Sequence, residues 1–482
     1  MVTLRRAVFY LFLVLYLVIC PLTVLYAFGY SLQSGPSGRL VRTGLISISS
    51  TPSGADVYLG RRRFTQRTPA TIRGLLPGAY DVRLALKGHR SWEASVPVEE
   101  ERATVLERAL LLPVPLPAQV HLAEPFTQVI PVPGHRAMVL ARGPQLQDLV
   151  VYDWRAERVW PLDMPDPALS AARLVAPTAM RDSAWLLLQA RSAAGDHWLW
   201  CEPGRGREAV EDLTALFIRR PLATAWDGRG GRYVFAVANG QVDRVDSMSK
   251  QVTPRWLEGV EGVGVLGRWV YVLHDDGRLV RTDRDGKSVE LLARMTLPND
   301  QVFGAREPWQ VHALTPETVL LQGPRGELFS AGAADALAEQ GILGVDWDPR
   351  HQRALVWERE RLGIISLTSA DATKDTALSS PAIQWVFERA TGIEQAAWVD
   401  DGAYILVRDD HRVFLLEPGP ATAPRLHDVV MAARNTNVTY AEDSGRVYYL
   451  DQASGYLSSM EIVPHRDRLP LQLPEPSKQA ED

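Results

Sequence analysis

The chain has 482 residues, of which 46% are hydrophobic and 23% are charged, so it can bury a large core and hold about two to four globular domains. Its net charge of −5 hides an asymmetry, because residues 1–43 contain four arginines and no acidic residue, while the excess of acidic residues follows residue 112. An overall nucleic-acid-binding surface on the large C-terminal part is therefore excluded.

An uncharged apolar segment runs from Ala7 to Tyr30. About 20 helical residues cross the hydrocarbon core of a bilayer, so residues 1–30 are predicted to form a transmembrane anchor. The aromatic residues near its two ends are typical of a membrane-interface belt: Phe9, Tyr10, Tyr26, Phe28 and Tyr30. The chain contains two cysteines, and Cys20 lies in this segment, so neither a bridge to Cys201 nor a disulfide framework is expected.

The predicted orientation places the N-terminus in the cytoplasm and the bulk of the protein outside it. Arg5 and Arg6 precede the segment, and Arg39 and Arg42 follow it, so the charge difference is small. The N-terminal flank is short, however, and large domains are translocated largely regardless of charge. The protein is then a single-pass protein of the cell membrane. A cleaved signal peptide is the alternative, although its apolar region should span only about 7–15 residues.

Residues 31–43 are polar and rich in glycine and serine, and we predict a linker there. Residues 44–112 alternate between apolar and polar positions and contain Pro-Gly turns, which predicts a small antiparallel β-sandwich. In this interpretation Arg61, Arg62 and Arg63 lie in a loop. The predicted strands are Leu45–Ser50, Val57–Leu59, a short strand after Thr68-Pro69-Ala70, Asp81–Leu86 and Trp92–Val96.

The order of these turns resembles the PEGA domain, a small bacterial β-sandwich. Pro52, Ser53, Gly54 and Ala55 occupy the place of its Pro-Glu-Gly-Ala motif, with Ser53 in place of the glutamate. The resemblance implies a surface or adaptor module and carries no enzymatic activity. The segments that continue the resemblance are Thr68-Pro69, Leu76-Pro77-Gly78-Ala79-Tyr80, Lys87-Gly88-His89 and Trp92.

The densest basic cluster of the chain consists of Arg61, Arg62, Arg63 and Arg67. Because it lies close to the predicted anchor, it could contact anionic lipid head groups or a cell-wall polymer. A solvated hairpin loop is the alternative interpretation.

Residues 113–119 are rich in proline and are predicted to be a second linker, after which residues 120–465 repeat a pair of strands eight times, about 43 residues apart. This spacing predicts a β-propeller with seven or eight blades, since Ala118–Val132 could complete a ring with the last unit. The pairs are Arg136–Leu140 with Asp148–Trp154, Ala184–Leu188 with His197–Trp200, Tyr233–Val237 with Gln241–Val245, Trp269–Leu273 with Arg278–Thr282, Thr318–Leu321 with Glu327–Phe329, Ala354–Trp357 with Leu362–Ser366, Tyr404–Val407 with Arg412–Leu416, and Arg446–Leu450 with Tyr456–Met460.

Two short segments resemble the repeats of TolB-like, Trp-Asp-type propellers. They are Trp398-Val399-Asp400-Asp401-Gly402 and Val345-Asp346-Trp347-Asp348-Pro349. We also predict a helical interruption at Ala331–Gln340 and a disordered tail over residues 466–482. The fold class is thus all-β, with an N-terminal transmembrane helix, a PEGA-like sandwich and a propeller.

No catalytic, cofactor-binding or metal-binding residue is predicted. Gly262–Gly267 fits the dinucleotide fingerprint by letter, but a strand follows it where the fingerprint requires a helix. The acidic segments at His274-Asp275-Asp276 and Asp283-Arg284-Asp285-Gly286 are typical of hairpin turns, and they lack the remaining ligands of a calcium loop.

The sequence therefore predicts a non-catalytic, membrane-anchored, extracytoplasmic binding or adaptor protein of the bacterial cell envelope. Its partner would be a protein or a cell-wall glycan on the propeller face, and neither a nucleic acid nor a cofactor is expected. One alternative is a propeller hydrolase or lyase acting on envelope polysaccharide, and another is a structural cell-surface assembly protein. Clustered acidic and histidine side chains at the channel mouth would favour the enzyme, and an apolar or aromatic face would favour a protein partner.

Overall fold

The computed structural model describes residues 2–27, 30–32, 40–133, 135–181, 183–227, 230–297, 307–333, 335–367, 382–388, 392–418 and 424–463. The predicted tail over residues 466–482 lies outside these ranges.

The chain begins with helix α1 (Val2–Ala27), which contains Pro21. Its large apolar side chains from Phe9 to Ile19 are between 41% and 67% exposed. Judged by length and mean hydropathy over the described residues, no helix qualifies as a membrane span. The transmembrane helix over residues 1–30 therefore stays a prediction. Within the predicted linker of residues 31–43, β2 (Leu40–Arg42) pairs with β1 (Tyr30–Leu32), so part of this segment is paired β-strand.

Seven strands form a sandwich of two sheets. Their bounds are β3 (Gly44–Thr51), β4 (Asp56–Leu59), β5 (Arg62–Arg67), β6 (Ala70–Leu75), β7 (Gly78–Ala85), β8 (Trp92–Val98) and β9 (Ala103–Leu110). One sheet has the order β6-β3-β9 and the other has the order β5-β4-β7-β8. Alternate residues of strands such as β3, β4 and β8 face the core between the sheets, where Ile46, Val57, Val82 and Trp92 are buried.

The predicted sandwich is confirmed, but two of its details are wrong. The sandwich is not wholly antiparallel, because β9 pairs in parallel with β3. Arg62 and Arg63 do not lie in a loop, because they begin β5, and only Gly60 and Arg61 form the turn between β4 and β5. A two-residue turn closes the hairpin, so β5 begins at Arg62.

The larger C-terminal part begins with β10 (Ala118–Pro125) and continues as eight up-and-down units of antiparallel strands. Units 1 to 4 contain β11 (Gln128–Pro131), β12 (Ala137–Ala141), β13 (Leu149–Asp153) and β14 (Arg158–Pro161); β15 (Arg173–Ala179), β16 (Leu186–Ser192), β17 (Gly195–Cys201) and β18 (Val210–Asp212); β19 (Ala223–Trp226), β20 (Tyr233–Ala238), β21 (Gln241–Asp246) and β22 (Gln251–Glu258); and β23 (Val260–Leu266), β24 (Trp269–His274), β25 (Arg278–Asp283) and β26 (Val289–Arg294).

Units 5 to 8 continue the pattern to the end of the described chain. They contain β27 (Trp309–Ala313), β28 (Val319–Gln322) and β29 (Leu328–Ser330); β30 (Gly344–Asp348), β31 (Arg353–Trp357), β32 (Arg361–Ser366) and β33 (Ile383–Glu388); β34 (Ile393–Val399), β35 (Tyr404–Asp409), β36 (Arg412–Glu417) and β37 (Arg425–Met431); and β38 (Thr439–Ala441), β39 (Arg446–Leu450) and β40 (Tyr456–Glu461). Short 3-10 helices lie at Leu146–Asp148, Pro167–Leu169, Pro203–Glu208 and Thr214–Leu216.

The ring is closed by strands from the two ends of this region. Strand β10 pairs with β40, so unit 8 has the order β10-β40-β39-β38 and combines an N-terminal strand with three C-terminal ones. Such pairing holds the ends of a circular β-structure together, because otherwise both would present open edges. The architecture is a β-propeller, in which the first strand of each unit lies innermost.

All eight strand pairs predicted from the sequence are the central hairpins of these units, formed by the second and third strands. The suggestion that the segment from Ala118 to Val132 completes the ring is confirmed for β10, whereas β11 belongs to unit 1. The helix predicted at Ala331–Gln340 is wrong for the described residues of that segment, which form turns and a bridge of Ala338 to Leu328.

The sandwich and the propeller share the residues that join them. Ala109 and Leu111 are buried in the core of the sandwich, while Leu110 and Leu112 are buried with residues of units 7 and 8. Because side chains alternate between the two faces of an extended chain, one segment contributes to both cores. The predicted proline-rich linker begins within this packed segment, and Leu116 also packs against the propeller.

Candidate binding cavity

A cavity of about 710 Å³ lies among the innermost strands of the propeller. Its lining comes from units 1 to 6, mainly from β15, β19, β23, β27 and β30. This volume falls in the range of small-molecule and peptide sites. Most of the wall is apolar or aromatic, with contributions from Leu187, Trp198, Leu222, Val263, Val265, Trp309, Val311, Leu314, Val345 and Trp347.

One side of the cavity is closed by direct pairing of two innermost strands. Strand β23 pairs in parallel with β27, matching Gly262 with Trp309 and Val263 with Gln310, and this joins units 4 and 5 into one seven-stranded sheet. A Cβ atom added at Gly262 would overlap the carbonyl oxygen of Trp309, and one at Gly264 would overlap that of Val311. The glycine-rich run that fits a dinucleotide fingerprint by letter is therefore a strand, and its glycines permit close backbone approach.

The side chain of Arg181 crosses the cavity. It follows β15 in unit 2, and it contacts β30 in unit 6, four units further along the ring. Arg181 Nη2 donates a hydrogen bond to the carbonyl oxygen of Trp347 and lies 3.7 Å from Asp346 Oδ1. The side chain of Arg181 is 45% exposed and that of Asp346 is 27% exposed. An accessible guanidinium thus lies in a wall that contains both apolar and polar side chains.

The histidine of the cavity wall is held in a structural hydrogen-bond chain. His312 Nε2 lies 3.1 Å from Gln322 Oε1, and Gln322 Nε2 donates to the carbonyl oxygen of Ile342 at 2.8 Å. That second bond fixes the orientation of the amide, so the Nε2–H of His312 donates to Oε1. Burial lowers the pKa of His312, with the hydrogen bond to Gln322 opposing it, so the imidazole is neutral at physiological pH.

The lining residues include one carboxylate, one imidazole and one guanidinium, namely Asp346, His312 and Arg181. Across the described part of the chain, no group of three or more acidic, histidine or cysteine side chains could hold a metal ion. The acidic segments at Asp276 and Asp283 are hairpin turns, in which these carboxylates accept backbone N–H groups of Arg278 and Lys287. The arrangement can bind and orient a ligand.

Sequence reasoning missed Arg181 and the role of Asp346 in this cavity. Patterning finds the hydrophobic central hairpins, whereas the innermost strands are half-exposed and lack a strong period. The one usable signal was the propeller-like segment from Val345 to Pro349, which places Asp346 and Trp347 near the end of an innermost strand.

The PEGA-like motif turns the chain from one sheet of the sandwich into the other. Gly54 adopts a positive φ of 89°, its N–H donates to the carbonyl oxygen of Thr68 at 2.8 Å, and Thr68 Oγ1 accepts the N–H of Ala55 at 2.9 Å. Ser53, at the position of the motif's glutamate, is exposed. Pro52, Ser53, Gly54 and Ala55 are thus a structural turn.

The basic cluster lies along the exposed edge strand β5. Arg63 and Arg67 both contact Asp56 Oδ1, at 2.9 Å and 3.1 Å, and the hydrogen bond from Arg63 is the main reason that the pKa of Asp56 is lowered. Arg62 lies over the ring of Phe64, at 5.2 Å from its centre. Arg61 lines a shallow groove of about 760 Å³ between β4, β7 and β8. Two of the four charges are therefore already paired.

A polar contact network fixes the sandwich against unit 7. Trp92 Nε1 donates to Glu417 Oε2 at 2.9 Å, and the guanidinium of Arg425 stacks on the Trp92 ring at 3.8 Å from its centre. Burial lowers the pKa of Arg425, with the charge of Glu417 opposing it. Arg108 Nη1 donates to the carbonyl oxygen of Asp400 at 3.2 Å. These contacts give the two domains a defined relative orientation.

A known family model matches one part of the chain. Residues 43–110 match the family model of the PEGA domain. Among curated proteins, none matches the chain.

Among solved structures, the chain is similar to the Dos1 propeller, at 10% identity over 73% of this chain and 95% of that one, with a TM-score of 0.46. It is also similar to YCF48 from Cyanidioschyzon merolae, at 12% identity over 71% and 98% of the two chains, with a TM-score of 0.39. The β-propeller domain of Myceliophteria thermophila Cps50 (Swd1) is 11% identical over 60% and 97%, with a TM-score of 0.37. Residues 43–110 are a PEGA domain, and the chain that follows them forms a β-propeller.

Proposed function

We propose that this protein is a non-catalytic adaptor whose propeller binds a segment of a partner protein in the central cavity. The observation that supports the proposal is the composition of the wall, which combines apolar and aromatic side chains with polar ones such as Arg181, Gln310 and Asp346. Pockets of this kind bind ligands through apolar burial, with the polar groups fixing orientation. The PEGA domain contacts unit 7 through Trp92 and Arg108.

The alternative of a polysaccharide hydrolase has less support. Glycoside hydrolysis generally uses two carboxylates on either side of the scissile bond, about 5–10 Å apart. Asp346 is the carboxylate among the described lining residues, and one of its oxygens, Oδ2, accepts the backbone N–H of Trp398 at 2.8 Å. The imidazole of His312 is engaged with Gln322. No observation favours a lyase or a structural assembly role over binding.

The experiment that tests this function is site-specific photo-crosslinking in the intact organism. A benzophenone amino acid replaces Gln310, an exposed residue of the cavity wall, and in a matched control replaces Gln251, an exposed residue of the outer strand β22. We expect a discrete protein adduct from position 310 and none from position 251. Release of soluble saccharide from the envelope by the protein, abolished by Asp346→Asn, would overturn the proposal in favour of an enzyme.

We further propose that residues 1–30 anchor the protein in the cell membrane, with both domains outside the cytoplasm. The support is the absence of charge from Ala7 to Tyr30 and the exposure of apolar side chains on every side of α1 from Phe9 to Ile19. Reporters that are active only outside the cytoplasm, fused after Thr43 and after Val463, test this topology. Activity of both fusions is expected, and silence of both would place the domains in the cytoplasm.

We propose that the chain consists of an anchor at 1–30, linkers at 31–43 and 113–119, the PEGA domain at 44–112 and the propeller at 120–465. We take the ring to contain eight blades, with units 4 and 5 as separate blades despite their shared sheet. The support is the strand order, in which each unit has its own central hairpin. The cluster of Arg61, Arg62, Arg63 and Arg67 would face anionic groups of the membrane surface.

A further inference from the structure

We infer that the partner segment carries a carboxylate side chain, and that Arg181 is the residue that binds it in the propeller cavity. This inference rests on the proposed function and specifies the chemistry of the partner. The ligand class is an extended acidic peptide, with apolar residues on either side of its carboxylate.

The first support is the state of Arg181. Its guanidinium donates to the carbonyl oxygen of Trp347 through Nη2, which leaves further N–H groups on a side chain that is 45% exposed. A guanidinium binds carboxylates through two parallel hydrogen bonds, and such charge-assisted bonds are stronger than a bond to a neutral carbonyl. Arg181 is the cation among the described lining residues and Asp346 is the carboxylate, so an anionic ligand group would compete with Asp346 for the guanidinium.

The second support is that the carboxylate beside Arg181 is a weak partner. The separation of 3.7 Å between Arg181 Nη2 and Asp346 Oδ1 exceeds hydrogen-bond length, and Asp346 Oδ2 is engaged by the N–H of Trp398. Asp346 Oδ1 therefore forms an ion pair with the guanidinium that is longer than a hydrogen bond.

The third support concerns the choice of a peptide over an acidic glycan. A sugar presents hydroxyl groups on most of its carbons, and each buried hydroxyl needs a hydrogen-bond partner. Ten of the 25 lining residues are valine, leucine or tryptophan. Strands β15 and β19 are end strands of their sheets, so their inward edges can pair with the backbone of an extended peptide.

The test measures binding of two fluorescein-labelled peptides to the full chain by fluorescence polarisation. The probes are a capped Leu-Val-Glu-Val-Leu peptide and its counterpart with glutamine in place of glutamate. We expect the glutamate peptide to bind about tenfold more tightly, because a charge-assisted bond replaces a neutral one. Arg181→Met should abolish this preference, and Asp346→Asn should increase affinity for the glutamate peptide, because it removes the competing carboxylate.

The matched control is Arg278→Met. Arg278 is 43% exposed, close to the 45% of Arg181, and it pairs with Asp276 at 2.5 Å, but it lies in a hairpin of unit 4 away from the cavity. Its substitution should leave the preference unchanged. Unfolding curves for each variant establish that it is folded.

Equal binding of the two peptides, or a preference that survives Arg181→Met in a folded protein, would overturn the inference. Binding of oligogalacturonate that depends on Arg181, with neither peptide bound, would overturn it in favour of a glycan. If the crosslink from position 310 forms while the peptide preference is absent, the proposed function stands and the acidic-peptide inference alone is wrong. If both are absent, both fail.

Discussion

Leu111 and Leu112 are consecutive residues that pack into different domains. Leu111 is fully buried in the core of the PEGA domain, and Leu112 is 1% exposed and packs with residues of propeller units 7 and 8. The domain junction is thus an extended segment whose two faces are both core. A substitution at either position should lower the stability of the domain into which that side chain packs.

We expect Leu111→Ala and Leu112→Ala each to lower the free energy of unfolding by about 2–5 kcal/mol, because each leaves a cavity in a closed core. Urea denaturation in mild detergent measures the effect. Val105→Ala is the control on β9, since Val105 is 47% exposed and should change stability by less than about 0.5 kcal/mol. If Leu112→Ala changes the free energy of unfolding no more than Val105→Ala does, Leu112 does not contribute to the core of the propeller.

The contact of Trp92 with Glu417 should be measurable as a coupling energy. Trp92→Phe keeps an aromatic ring beneath Arg425 but removes the N–H group that donates to Glu417. We therefore expect the free energy of unfolding to fall by about 1–3 kcal/mol. A double-mutant cycle with Glu417→Gln isolates the pair. Additive effects of the two substitutions would show that the hydrogen bond does not fix the orientation of the domains.

Alanine at Gly262 or Gly264 should destabilise the propeller by at least about 2 kcal/mol. The added methyl group would overlap a backbone carbonyl oxygen of β27 and push the paired strands apart. Thermal unfolding measures the change. Gly392→Ala is the control, because the atoms nearest to its added Cβ belong to the flexible side chain of Arg359. Equal losses of stability in all three variants would contradict the close approach of β23 to β27.

Acid should destabilise the protein through Asp246. Burial by itself raises the pKa of this carboxyl, but hydrogen bonds from Arg232 and from the backbone of Ser249 and Met248 lower it to about 2, against 3.8 for an ordinary aspartate. The folded state therefore binds the proton less tightly than the unfolded state. The stabilisation is complete above about pH 4 and is lost as the pH falls towards 2.

Asp246→Asn should lower the free energy of unfolding at pH 7 by about 2 kcal/mol and flatten its decline between pH 4 and 2. Urea unfolding at a series of pH values tests both effects. If the free energy of unfolding of the variant still declines between pH 4 and 2 as steeply as that of the unaltered protein, other carboxylates cause the acid sensitivity.

The basic edge of the PEGA domain should bind anionic vesicles through its unpaired charges. Arg61→Ala with Arg62→Ala should weaken binding to phosphatidylglycerol vesicles more than Arg63→Ala with Arg67→Ala, since Asp56 already neutralises part of the second pair. Vesicle co-sedimentation measures this, with uncharged phosphatidylcholine vesicles as the control. Equal losses for both pairs would contradict the role of Asp56.

Much of the fold was predictable because hydrophobic periodicity reports local burial. The central hairpin of every propeller unit alternates or runs apolar, as at Val234–Val237 and Leu355–Val356, so all eight were found. The innermost and outermost strands are partly exposed and carry a weaker pattern. The helix predicted at Ala331–Gln340 was wrong because its alanine-rich composition favours a helix, while pairing of Ala338 to Leu328 holds the segment as turns.

The sequence by itself determined the all-β class, the PEGA domain and the eight repeated units, and it identified the Asp-Gly segments as hairpin turns. Each of these features depends on residues close together in the chain. Only the tertiary structure decided the parallel pairing of β3 with β9 and of β23 with β27, the shared core at Leu111 and Leu112, and the position of Arg181 across from Asp346. These contacts join residues that are distant in sequence. The local pattern of apolar residues indicates which face of a strand is buried, but the packing of the whole ring determines which residues that face contacts.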